Sequence, residues 1–404
     1  MEYGRRYDLR WLGALFMVAL LSLLAACSKS SGGDEPEPTN KPVLKIYVFP
    51  PDRPVVTRPD NGDVNPISEE ENTIHNLHVW VFETGTSNLV GHISLNNVDI
   101  SQSGSTVSLE LSDAFVNLAV KPNVDVFVAA NVTNVNCGLS LSATTPRSQL
   151  EGAMIGQYYF GLSPLVDKIP ADGLPMSGVM KDKKITGSDP VYQVSEKEED
   201  GGSLANVRLV RAVSKVRFVF SKSDTNPDEV KIKNLKFDAG VLPIQEYLFL
   251  EDAYDLSTTQ KYHIDGGDDS KYVPVEPVSP LISSESGFDV NKSPSPASYS
   301  YDGKMTGQEY ESLIQQGVED ENLSDLGTFY LRESDRILKG TIDYTINGSP
   351  KTASFTMKAP GDFSRNHTWI VYSYFVSSGD LIIGTVLVKD PTNTVDITYE
   401  VYNW

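Results

Sequence analysis

The sequence predicts a mainly β protein built from antiparallel sandwiches, two of them at this length. Three observations carry that expectation. From Pro42 onward, apolar and polar residues alternate with a period of two rather than 3.6. Turn-forming residues recur between the alternating runs, and the chain holds 24 prolines and 30 glycines. Helical patterning is confined to two short stretches. A succession of short strands and turns is the pattern of sheets packed on sheets.

The elements follow in order. VLKIYVF (43–49) alternates and is closed by PPDRP, so it reads as the first strand. IHNLHVWVFE (74–83) places Leu77, Val79 and Val81 on one face and His78, Trp80 and Phe82 on the other. GTSN supplies a hairpin turn into LVGHISL (89–95). STVSLEL (105–111) and VDVFVAANV (124–132) are further strands. VRLVRAVSKVRFVFS (207–221), VKIKNLKFDA (230–239), GTIDYTING (340–348), KTASFTMK (351–358) and HTWIVYSYFV (367–376) continue the pattern. DLIIGTVLVK (380–389) and TVDITYEVYNW (394–404) end it. One helical stretch, TPRSQLEGAMIGQ (145–157), opens on Thr-Pro; the other, TGQEYESLIQQGV (306–318), sets Tyr310, Leu313, Ile314 and Val318 on one stripe. Residues 180–204 end in a charged, glycine-punctuated run and read as a hairpin or interdomain loop. Residues 251–300, rich in Asp, Ser and Pro, read as irregular surface.

The chain begins with an export signal. Arg5, Arg6 and Arg10 precede an apolar run, Trp11 to Leu24, that is short for a membrane-spanning helix of about 20 residues. Leu24-Ala25-Ala26-Cys27 has the form of a bacterial lipobox, in which the Cys27 thiol takes the lipid. Each buried acyl methylene is worth about 0.8 kcal/mol, so an acylated Cys27 anchors the chain to a membrane. The expected organisation is a signal peptide over 1–26, a flexible tether over 27–42, one sandwich domain over 43–204 and a second over 205–404. The tether is rich in Ser, Gly, Pro and acidic residues, a composition that buries too little to fold.

Composition narrows the function. A formal net charge of −20 argues against nucleic-acid partners. With Cys27 acylated, Cys137 has no partner for a disulfide or paired-cysteine zinc site, and reads as a small buried filler. Five histidines are present, but His75 and His78 fall on opposite sides of a strand and make no metal pair. HIDGGDDSK (263–271) gathers carboxylates without the ligand spacing of an EF-hand loop. Serine-elbow, P-loop and dinucleotide fingerprints are missing, and PMSGVM (175–180) has no histidine tied to it. The reading is not an enzyme, with no cofactor and no metal.

Several segments together, in this order, resemble the fimbrillin family, the type V pilins of anaerobic gut and oral bacteria. They are the lipobox, KIYVF, EENTIHNLHVWVFETGTSNLVG (70–91), LPMSG (174–178), VRLVRAVSKVRF (207–218), TFYLRES (328–334), FSRNHTW (363–369) and the strand-like end with Trp404. The resemblance implies two transthyretin-like β-sandwich domains and a structural role in an adhesive surface fimbria at the outer membrane. It also implies an arginine-specific cut after the first strand, which removes lipid and strand together. A C-terminal strand of a neighbouring subunit then fills the groove. Arg53 and Arg58 are the arginines in that loop, and Val43 and Ile46 belong to the strand that leaves. The donor face is Val395, Ile397, Tyr399 and Val401, within 394–404; alternatively this tail completes its own sandwich. Both arginines precede proline, which hinders trypsin-like cleavage and favours an anchor-like or uncleaved accessory subunit.

Two basic segments read as structural. Leu209, Arg211, Val213 and Lys215 share one side of a strand, where the cations suit salt bridges between domains. Arg365 and Asn366 shape a turn and pair with carboxylates. The alternative function is a non-polymerising, glycan-binding surface lipoprotein, with Trp80, Trp369, Trp404 and some of the 19 tyrosines as platforms.

Overall fold

Alternation sets the first strand, β1 (Val43–Phe49): Leu44, Ile46 and Val48 are fully buried, while Val43, Lys45, Tyr47 and Phe49 are half-buried on the opposite face. The computed structural model describes residues 41–51, 69–98, 100, 103–155, 165–166, 169–196, 203–223, 225–250, 270, 282–293, 324–334, 336–357, 365–366, 368–375, 381–388 and 395–402. Met1–Lys41 form one unit and Pro42–Trp404 another, and the architecture below is that of the second.

After β1 come β2 (Asn76–Glu83), β3 (Leu89–Asn96), β4 (Ser105–Glu110), β5 (Val124–Ala130), β6 (Met154–Ile155), β7 (Leu165–Val166), β8 (Met176–Ser188), β9 (Val191–Ser195), β10 (Asn206–Arg208) and β11 (Val210–Arg211). A nine-stranded sheet runs β10-β1-β9-β8-β5-β2-β3, with β4 also on β1 and β11 on β8. The long β8 serves two walls. Its first part pairs with β5 and its last part with β9, with a register shift on the β5 side. One core joins Leu44, Ile46 and Val48 to Leu77, Val79, Val81, Val126, Val128, Val194 and Val207. The other face of β2 and β5 is buried too: Trp80, Phe82 and Phe127 pack with Cys137, Leu141, Leu150, Leu248 and Phe249. Both apolar faces read from IHNLHVWVFE are therefore used.

The second half holds β12 (Ser214–Ser223), β13 (Val230–Phe237), β14 (Glu246–Tyr247), β15 (Ile282–Asp289), β16 (Lys292–Ser293), β17 (Ser324–Leu331), β18 (Leu338–Ile346), β19 (Ser349–Met357), β20 (Thr368–Phe375), β21 (Leu381–Val388) and β22 (Val395–Tyr402). A seven-stranded sheet runs β22-β21-β20-β12-β17-β7, with β16 on β12, and a four-stranded sheet runs β15-β13-β18-β19. The core joins strands of both sheets around Phe218, whose ring meets Phe237, Phe329 and Phe355 edge-on at 6.1, 6.0 and 5.9 Å. Asn347 and Gly348, at φ +49° and +78°, make the tight β18–β19 turn that the NG pair in GTIDYTING encodes. The chain is mainly β, as the period of two requires.

Several expectations change. Residues 180–204 are largely strand, because β8 runs on through KDKKITGS and turns directly into β9. Residues 181–186 of this strand are all half-buried, with charged and polar side chains on both faces. Two strands, β15 and β16, lie within 251–300. The run 207–221 is three strands, not one: β10 and β11 join the first half's sheet and β12 the second. The chain leaves the first of these sheets after Arg211 and enters the second at Ser214. The Thr-Pro stretch gives a helix only over Arg147–Glu151, then β6. The stretch 306–318 lies outside the described residues.

Candidate assembly interface

The first candidate element is the seat of β1. On one edge β1 is antiparallel to β4, from Val43 opposite Glu110 to Val48 opposite Ser105. On the other edge it is parallel to β9 over Val43–Lys45 and to β10 over Tyr47–Phe49. Both edges are therefore bonded, although β1 is the first strand of the body. Burying Leu44, Ile46 and Val48 contributes about 1.5–3 kcal/mol each, or about 5–9 kcal/mol for the stripe. The slot-forming stripe is Leu44, Ile46 and Val48; Val43 lies on the opposite face from Ile46, since side chains three apart in a strand oppose each other. At its ends the Val43 amide donates to the Pro190 carbonyl at 2.9 Å, and the Phe49 carbonyl accepts from Leu209 at 2.9 Å. Beyond Pro51 the chain passes to residues 52–68, which hold Arg53 and Arg58 and lie outside the described residues, as does Cys27.

The second element is the tail. β22 pairs antiparallel with β21, setting Val395, Ile397, Tyr399 and Val401 opposite Val388, Val386, Gly384 and Ile382. It ends the seven-stranded order, so one of its edges is the sheet's edge. Here the tail belongs to its own sheet. Its register still matches β1 in kind, an apolar position every second residue over a comparable length.

Two buried polar clusters join the halves. In the first, Arg365 lies 2.8 Å from Glu333, both fully buried, and donates to the carbonyls of Leu248 at 2.9 Å and Tyr247 at 2.6 Å. The Glu333 amide donates to Glu246 Oε2 at 2.8 Å, and Arg332 Nη1 to the Pro243 carbonyl at 2.9 Å. Burial, reinforced by the nearby Glu333 carboxylate and opposed by Arg365, pushes Glu246 up to about 8. Ser177 of β8 donates to the same Leu248 carbonyl at 2.6 Å, and β14 pairs with β6, so residues 246–248 bridge the halves. In the second cluster, Glu71 of the short helix Glu69–Asn72 lies 2.9 Å from Lys215 Nζ and accepts the Tyr330 hydroxyl at 2.6 Å. Arg211 donates to the Glu71 carbonyl at 3.2 Å, to Asn366 Oδ1 at 2.9 Å and to the side-chain oxygen of Asn72. Burial and then Glu71 raise the Tyr330 hydroxyl far above the ordinary tyrosine range.

The expected carboxylate partners thus exist for Arg365 and Lys215, and Arg211 donates to the Glu71 carbonyl and to the side chains of Asn72 and Asn366. Glu71, Glu246, Glu333 and Tyr330 were not singled out by sequence reasoning, since nothing local marks them. His78 and His92 stack across β2 and β3 at 6.0 Å, and burial, with His92 close by, lowers His78 to about 4. Among the described residues no three His, Cys, Asp or Glu gather to hold a metal, and no helix is long and apolar enough to cross a membrane. Trp80 is buried, its Nε1 donating to the Ser142 carbonyl at 2.9 Å, and offers no surface platform.

Comparison with known proteins bears on this interface. The model of a family described as major fimbrial subunit protein (FimA) matches residues 55–234. Over that stretch the chain is fimbrillin-like. The match runs from just after β1 into β13, somewhat under half of the 404 residues. No curated protein matches. A candidate cell adhesion protein of Parabacteroides distasonis is similar in structure, with 15% identity, a TM-score of 0.50, and coverage of 90% of this chain and 96% of its own. That likeness is one of fold. The tip fimbrial protein Mfa3 of Porphyromonas gingivalis, with a C-terminal truncation, aligns at 13% identity and a TM-score of 0.39, covering 90% and 100% of the two chains. A fimbrial assembly protein of Parabacteroides distasonis aligns at 13% identity and 0.44, covering 89% and 99%.

Proposed function

We propose that this fimbrillin-like chain is a structural subunit of a cell-surface fimbria. It is made as a lipoprotein precursor on Cys27, held at the outer membrane, and assembled with other fimbrial subunits by β-strand donation, with adhesion as the output. The observation that carries this reading is the seat of β1. A first strand bonded on both edges, with an apolar stripe beneath it, leaves a slot shaped for another strand if it departs. It continues into the body only through residues 52–68, so a cut there detaches it. The tail strand, with Val395, Ile397, Tyr399 and Val401 on one face, is the matching donor.

The prolines after Arg53 and Arg58 set this chain's place. A locked φ and a missing N–H at the residue after the scissile bond hinder an arginine-specific cut. An uncut copy can donate its tail but not accept one, which suits a terminal, membrane-anchored or accessory subunit. Intact mass and terminal sequencing of the protein recovered from the cell surface test this. A lipid-bearing Cys27 on the full body is the expected result; a lipid-free start after Arg53 or Arg58 would instead make it a processed subunit. The FimA family match supports the fimbrial reading over a glycan-binding one, and the burial of Trp80 removes one platform the latter needs.

A further inference from the structure

The chain just downstream of the β1 loop is held by groups that β1 does not supply. Glu71, 3% exposed, is tied to Lys215 of β12 and Tyr330 of β17. Arg211 grips the Glu71 carbonyl and the Asn72 side chain, and also reaches Asn366, whose amide donates to the Val213 carbonyl at 2.9 Å. Two residues on, fully buried Asn131 at φ +58° donates to the Thr73 carbonyl at 2.8 Å and accepts the His75 amide at 2.8 Å. It also donates to the Leu174 carbonyl at 2.9 Å. Residues 71–75 are thus fastened at nearly every position, to both halves of the body.

The same cluster lies on the covalent path between slot and tail. Asn206–Arg208 form β10, a wall of the β1 seat; Ser214–Ser223 form β12, which pairs with β20, and β20 and β21 lead to β22. Between β10 and β12 stand Arg211 and Val213, and β12 opens on Ser214 and Lys215. The covalent chain from tail to slot runs through this segment.

We propose that Glu71, with Lys215, Tyr330 and Arg211, is a retaining joint: it keeps the chain after the β1 loop, and the two halves, in register when β1 leaves. The inference rests on the strand-donation reading only in taking β1 as the part that departs. Glu71 is a positioning residue. Its carboxylate joins charge and hydrogen bond in a dry site, where removing one partner is expensive.

The test uses the full chain with a sequence-specific protease site placed between Pro51 and Glu69. The chain is cut, the β1 fragment is stripped in mild denaturant, and amide exchange is followed at residues 72–76 and 211–216. In the parent protein, exchange there is expected to change by less than about threefold on loss of β1. In Glu71→Gln it should speed by about tenfold or more after β1 is stripped, and by much less while β1 is present. Lys215→Met serves where Glu71→Gln fails to fold, and should behave alike. Unprotected residues 72–76 in the cut parent overturn the proposal. So do equal effects of the substitutions with and without β1, which mark a merely structural contact. No assembly enters this readout, so a failure of strand donation shows separately, as the lack of high-mass ladders.

Discussion

Replacing Arg365 with methionine would strike the bridge between the halves without removing a side chain of the apolar cores. The guanidinium is fully buried, lies 2.8 Å from an equally buried Glu333 carboxylate, and caps the carbonyls of Tyr247 and Leu248. Methionine fills similar space but leaves Glu333 without its cation. Breaking a buried pair from one side costs about 3–5 kcal/mol. A carbonyl that loses its donor adds about 1–3 kcal/mol, less where Ser177 still serves Leu248. The sum is about 4–8 kcal/mol, a large part of the stability of about 5–15 kcal/mol typical of native proteins. Urea unfolding of the full chain, followed by far-ultraviolet circular dichroism, reads the loss as a shift in midpoint at constant slope. Adding Glu333→Gln to Arg365→Met removes the stranded charge, so the double variant should be more stable than the two single losses sum to, by about 1–3 kcal/mol. A loss under about 1 kcal/mol for Arg365→Met, or strict additivity of the pair, would refute the reasoning.

Other outcomes follow from the same geometry. Ile46→Ala, at a fully buried position under β1, should destabilise by about 2–5 kcal/mol and hasten loss of β1 from a loop-cut chain, as read by gel filtration. Glu246, held at about 8 when folded against an ordinary 4.5, keeps its proton longer than the unfolded chain does. Stability from this group is therefore full below about 4.5 and falls as pH rises through about 8. Glu246→Gln should flatten that fall; urea midpoints with the same pH dependence in both proteins would count against it. A Cβ at Gly173, at φ +82°, would sit 2.4 Å from Asn131 Nδ2 and 3.0 Å from His75, so Gly173→Ala should cost more than about 1 kcal/mol in the same assay.

The strand content was legible because strands such as β1, β4 and β18 turn one face to a core, and such faces write themselves as alternation. Leu77, Val79 and Val81 were placed on one face and Trp80 and Phe82 on the other, and each face packs into its own core. The strand through Lys181, Lys183 and Lys184 was missed because residues 181–186 put charged and polar groups on both faces, all half-buried, and so show no alternation. In ISSESGFD, β15 is an edge strand with little to bury, and its serines and glycine mimic a loop. The two polar clusters were half legible. Lys215 was read as a strand cation suited to salt bridges and Arg365 as a turn residue seeking carboxylates, and both find carboxylates. Their partners, Glu71 and Glu333, are two among 54 acidic residues and carry no local mark. Pairings across 144 and 32 positions are set by topology, which alternation does not encode.

The most direct test is to ask which strand occupies the β1 seat in material taken from the cell surface. Cells grown with ordinary and heavy nitrogen are mixed before assembly, and the recovered fibres are cross-linked and analysed by mass spectrometry. Links between residues 395–402 of one copy, or of a partner subunit, and residues 105–110 of another are the result expected of strand donation. Links found only within single chains, the tail to β21 and β1 to β4, in material free of high-mass ladders would contradict it.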